Sequence, residues 1–178
     1  MEMTKVDRLI LSNQYRILEA LYPDERDAYA RSRAAIEGGY TLHYSDLAEC
    51  LNDELSPQRC EEVGDILEMF RSLQAGYQKL TDKSGVEPHA LVFPGFDGHT
   101  ESGYLNYAHY LIKRGGGQDY LDSAEAHLNS GRPLLDCYRG MVQVWRPMKS
   151  RPLSKDQILT ILAPRIHPEN RTRPRAPA

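Results

Sequence analysis

Acid–base or metal chemistry in this chain would have to come from one short central stretch, Asp97, His99 and Glu101, with His109 further along. Carboxylates beside histidines are common metal donors and common movers of protons. The spacing suits neither on one helix. Ligand pairs on a helix stand three or four residues apart, whereas His99 and His109 fall about 80° from eclipsed at 3.6 residues per turn. A capping acid with two ordinary histidines accounts for the same residues, so no metal ligand and no cofactor is assigned. Asp97, Glu101 and Glu68 remain open as acids or bases, since a raised pKa depends on burial.

Covalent catalysis has no candidate. The chain lacks a Gly-x-Ser-x-Gly elbow, and Cys50, Cys60 and Cys137 have no histidine in a nucleophile context. Odd in number and widely spaced, they read as buried thiols in a reducing compartment and make neither a disulfide framework nor a zinc site. Gly115-Gly-Gly117 follows a helix instead of opening one, so it is a helix stop and not a phosphate loop. No catalytic residue is assigned, and the balance leans away from an enzyme.

Asn13 and Gln14 are the other unusual polar pair, because they sit inside the apolar pattern of the first helix. Thr4 is an N-cap there; Val6, Ile10, Ile17 and Leu21 form one stripe, and Leu11, Tyr15, Leu18 and Tyr22 the next. A helix apolar on more than half its surface is expected centrally or in a subunit contact. Its two amides should then tie it to a loop backbone or line a polar pocket, as an unpaired buried amide costs about 1–3 kcal/mol.

The remaining elements follow from periodicity and caps. Asp24–Glu37 is charged at nearly every turn and reads as a surface helix closed by Gly38-Gly39. A short helix is expected over Tyr44–Leu51. Ser56-Pro57 opens a long helix whose Val63, Ile66, Phe70, Leu73, Tyr77 and Leu80 form a packing seam. Ala90–Phe93 is a brief β-like run. Asp97 should cap a helix to about Lys113 with Tyr104, Tyr107, Ala108 and Leu111 inward; Gly131-Arg-Pro133 should open another with Tyr138, Met141 and Trp145 inward. Ser154-Lys-Asp-Gln157 is a capping box before Ile158–Leu162. The fold class is mainly α, a compact multi-helix single domain with at most one short β-like segment.

Charge limits the partners. The net charge is −3, and the segment from Arg165 to Ala178 holds four Arg against one Glu, leaving −6 on the body. That disfavours nucleic acid. A helix pair over Leu47–Phe70 has a helix-turn-helix outline, but Glu61, Glu62, Asp65 and Glu68 would face phosphate with only Arg59 to compensate. No segment approaches the roughly 20 apolar residues of a membrane span, and no leader pattern opens the chain, so a cytoplasmic location is expected. The domain is read as 1–164, followed by a disordered basic Arg/Pro tail over 165–178.

Met1-Glu-Met-Thr4, Arg8-Leu-Ile-Leu-Ser-Asn-Gln-Tyr15, Asp65-Ile-x-Glu-Met69, Gly95-Phe-Asp97 with Glu101, Tyr104 and Tyr107, and Trp145 together resemble the YfbU family of bacterial proteins, over about Met1–Leu162. The resemblance implies a compact, largely helical cytoplasmic domain, with no catalytic residues to carry over. The Arg/Pro tail and the Lys113–Gly117 region depart from it.

The function expected from these readings is a non-enzymatic regulatory or protein-interaction module that self-associates as a homo-oligomer, with a further protein partner unidentified. Asn13, Gln14, Phe96, Asp97, Glu101, Tyr104, Tyr107 and Trp145 are its interaction or pocket candidates. One alternative is a small-molecule or metal-assisted enzyme near Asp97 and Glu101. The other is a DNA-binding regulator using the 47–70 helix pair or the basic tail.

Overall fold

A 3.6-residue apolar period closed by side-chain caps recurs along this chain, and the structure follows it. The computed structural model describes residues 2–114, 128–148 and 152–165. Their α-helices are α1 (Lys5–Leu21), α2 (Arg26–Gly38), α3 (Pro57–Gln78), α4 (Ser102–Arg114), α5 (Leu135–Trp145) and α6 (Lys155–Leu162). Among the described residues there is no strand, only an isolated parallel bridge between Phe96 and Asn129. The Gly115–Gly117 stop and most of the basic tail lie outside the described residues. Contacts within the chain divide it into two units, Met1–Asp53 and Glu54–Ala178.

The first unit is a helical hairpin. Thr4 opens α1 with a capping box, its hydroxyl accepting from the Asp7 N–H while the Asp7 carboxylate accepts from the Thr4 N–H. Gly39, at φ +70°, ends α2 in the left-handed conformation that favours glycine. The expected helix over Tyr44–Leu51 does not form. Short 3-10 turns stand at Thr41–His43 and Asp46–Ala48 instead, where the Ser45 hydroxyl bonds the Asp46 carboxylate and such short polar side chains compete with helical backbone bonding.

The second unit holds the continuous core. Ser56 caps α3 by accepting from the Arg59 N–H, and Pro57 occupies the first turn. Val63, Ile66, Met69, Phe70 and Leu73 are fully buried along α3, against Tyr138 and Met141 of α5 and Ile158 and Ile161 of α6. Phe70, Phe93, Phe96 and Tyr138 form an aromatic knot with ring centroids 5.3–5.7 Å apart, within the range where edge and tilted contacts add to simple burial. The expected β-like run at Ala90–Phe93 is instead a 3-10 turn over Pro88–Leu91. Pro88 fixes its first φ, and the Gln74 amide donates to the Leu91 carbonyl at 3.2 Å. Ser154 and Gln157 make the expected capping box on α6.

Candidate functional site

The central candidates are assembled by a turn ahead of α4. Gly95 has φ +93°, and a Cβ there would lie 1.8 Å from the Leu128 carbonyl oxygen, so only glycine fits. This close approach lets the Phe96 N–H donate to the Leu128 carbonyl at 2.9 Å and the Ser130 N–H to the Phe96 carbonyl at 3.0 Å. The Tyr138 hydroxyl adds a buried 2.8 Å bond to the Gly95 carbonyl. Burial holds that phenol protonated, well above the ordinary tyrosine range.

Asp97 and Glu101, both buried, lie one turn apart. The Asp97 carboxylate accepts from the Thr100 hydroxyl at 2.6 Å and the Thr100 N–H at 3.0 Å; these bonds lower its pKa below the usual carboxylate value. Glu101 reaches in two directions. Its Oε2 accepts from the Asp97 N–H at 2.9 Å, and its Oε1 accepts from the Leu134 and Leu135 N–H groups at 2.9 and 2.8 Å. Leu134 and Leu135 are where α5 begins, so a carboxylate from a different segment satisfies the free N–H groups and the positive end of that helix. Both oxygens of this carboxylate are thus occupied by backbone donors, a structural use of the acid.

Asn129 is a second clip, with no signal in the sequence beyond its type. Its Oδ1 accepts from the Gly98 N–H at 3.1 Å and the Gly131 N–H at 3.0 Å, joining the turn after Asp97 to the approach of α5.

Tyr104 belongs to a charged cluster that sequence reasoning missed. Its hydroxyl donates to Glu62 Oε2 at 2.9 Å, and Arg139 grips the same carboxylate through Nε at 2.7 Å and Nη2 at 3.2 Å. Arg59 lies over the Tyr104 ring, 5.9 Å from its centroid. The Arg139 grip, more than the tyrosine, lowers the Glu62 pKa. Glu62 seemed only an acidic face residue, because its partner lies 77 positions away. Asp65 likewise pairs with Arg146.

Other candidates disperse. Tyr107 packs half-buried against the core, as expected, and stacks on the exposed Tyr110 at 5.9 Å. Trp145 is buried in the core with Phe96. Asn13 and Gln14 belong to the first unit and are both exposed on α1, so neither ties the helix to a loop as expected. His99 and His109 are exposed, and among the described residues no three His, Cys, Asp or Glu are gathered to hold a metal. Cys50 is exposed and Cys60 and Cys137 half-buried, which corrects the expectation of buried thiols. No described helix is long and apolar enough to cross a membrane.

In the first unit α1 half-buries one of its two expected apolar stripes, Leu11, Tyr15 and Leu18, and leaves the other exposed. Ser12, the one buried residue of α1, donates to Glu37 at 2.7 Å, and Arg33 of α2 grips Glu19 at 2.7 and 3.3 Å. Arg8 donates to the Ile36 carbonyl and Arg16 to Glu37. Ion pairing therefore joins α1 to α2, reinforced by Tyr15 and Tyr29 rings 6.2 Å apart. Val6, Leu9, Ile10, Ile17 and Leu21 stand 52–64% exposed. At 100° per residue, Val6, Ile10, Asn13, Ile17 and Leu21 lie on the side of α1 opposite Ser12 and Glu19. Helix 1 is thus not central to a core, which corrects the first of the two expected placements.

A family model for the YfbU domain matches residues 1–163. A UPF0304 protein of Actinobacillus succinogenes is 40% identical over 146 residues, covering 82% of this chain and 88% of the relative.

Proposed function

The chain belongs to the YfbU family, and from that premise we propose that it is a non-catalytic cytoplasmic interaction module that self-associates through its first unit. The observation that carries this reading is the hairpin itself, in which ion pairs and the half-buried Leu11, Tyr15 and Leu18 hold α1 while Val6, Leu9, Ile10, Ile17 and Leu21 are left exposed. The first unit buries only Ala35, Ile36 and Tyr44 among its hydrophobic residues. Units of this size bury only about 60% of their unfolded surface and are marginal without further burial. A partner on the aliphatic face supplies that burial.

The central acids support the non-catalytic part. Asp97 and Glu101 are engaged with backbone N–H groups, so the geometry offers an acidic staple and not a pair of reacting carboxylates.

Sedimentation of the full chain at tens of micromolar tests self-association: dimers or larger species are expected, because interfaces of ordinary size persist at such concentrations. Monomer alone would overturn the reading. Elemental analysis of the purified protein tests the non-catalytic part, where stoichiometric bound metal would favour the enzyme alternative.

A further inference from the structure

Resting on the reading of the first unit as self-associating, we propose that its partner is a second copy of the same chain, laid antiparallel along α1 with the two-fold axis between Asn13 and Gln14. The exposed face of α1 nearly reads the same in both directions about that point. Val6 then faces Leu21 of the other copy, Ile10 faces Ile17, and Asn13 faces Gln14, each pair equidistant from the axis. Steps of four, three and four residues from Val6 through Ile10 and Asn13 to Ile17 make the narrow seam along which two helices pack at a shallow angle.

The amides become functional in this arrangement. Each Asn13 amide N–H donates to the Gln14 side-chain carbonyl of the other copy, so the axis carries two reciprocal amide bonds inside an aliphatic seam. Slipping the helices by a turn would set these amides against isoleucine and leave them unpaired, which is how a single polar position fixes register in helix pairs. The antiparallel direction also opposes the two helix dipoles, which a parallel pair would align. Area is sufficient: Val6, Ile10, Ile17 and Leu21 at 52–64% exposure, with Asn13 and Gln14 between them and Leu9 at the edge, present on the order of 500 Å² per chain, so two copies reach the roughly 1,000 Å² that a specific interface needs.

Cysteine cross-linking in the full chain separates the possibilities. In a background with Cys50, Cys60 and Cys137 changed to serine, Val6→Cys, Asn13→Cys and Leu21→Cys are made singly, and each is kept only if its helical circular dichroism matches the background. Under mild oxidation, Asn13→Cys should cross-link with itself, and a mixture of the Val6→Cys and Leu21→Cys proteins should cross-link about ten-fold more than either alone. Each of these alone should fail, because its two copies would stand about 22 Å apart along the helix axis. Self-linking of Val6→Cys at the level of the mixture would overturn the antiparallel register. A sedimenting dimer with no cross-link from any variant would put the interface on another face. A monomer would remove the proposal together with the self-association on which it rests.

Discussion

The two units solve the same problem in opposite ways. In Glu54–Ala178, α3, α5 and α6 turn their aliphatic and aromatic residues toward one another, and the charged pairs Glu62–Arg139 and Asp65–Arg146 lie outside that core. In Met1–Asp53 charged pairs lie between the helices, and one whole aliphatic stripe of α1 is left outside. Arg33–Glu19 is largely buried, but Arg16–Glu37 is more exposed and contributes little, and with few fully buried apolar residues the hairpin is a weak independent fold. The difference teaches that apolar periodicity predicts which residues will be buried, without saying against what.

The same substitution in the two units makes the sharpest contrast. Ile66→Ala or Phe70→Ala, both at fully buried positions of α3, should cost about 2–5 kcal/mol in urea unfolding. Ile10→Ala should change the stability of the isolated monomer by no more than about 0.5 kcal/mol, while weakening association measured by sedimentation. Equal losses at Ile10 and Ile66 in dilute monomer would erase the distinction between the units.

Glu101→Ala should follow in size, at about 3 kcal/mol, because three backbone donors lose their acceptor and at least some of them are buried. Glu101→Gln keeps one oxygen and should lose about half as much. Greater hydrogen exchange at Asp97, Leu134 and Leu135 together would identify the staple as the cause. In the hairpin, Ser12→Ala should cost about 1 kcal/mol and loosen α1 selectively, read as faster exchange in α1 and α2 with α3 unchanged.

The smallest effect is that of acid. The Arg33 side chain bonded to Glu19 lowers that carboxyl below its usual 4.5, and the Ser12 hydroxyl does the same most strongly for Glu37. A lowered folded-state pKa gives stability that is complete above 4.5 and is lost as pH falls through the folded values. Acidification below pH 4.5 should therefore release α1 from α2 before the aromatic core of the second unit opens. Exchange rates that rise together in both units would contradict this order.

Much of the fold was legible in the sequence because it is written locally. Thr4 with Asp7, Ser56 with Pro57, and Ser154 with Gln157 mark helix starts within four residues, and the α3 seam repeats over twenty. The site was legible only in its residue types. Asp97 and Glu101 could be recognised as acids near a helix start, yet the helix that Glu101 caps begins 34 residues later at Leu135. Glu62 with Arg139 and Asn129 with Gly98 are also pairings across distance, which no local pattern records. Helix 1 misled for a different reason: its aliphatic stripe was correctly located, but the partner for that stripe is not contained in the hairpin.

Glu101 and Asn129 have a consequence for how chains of this kind can vary. Together with the Phe96–Asn129 bridge they fasten the start of α4 to the start of α5. Positions 95 and 101 are therefore the least free to change, because a Cβ at 95 or a lost carboxylate at 101 would part the two helix starts.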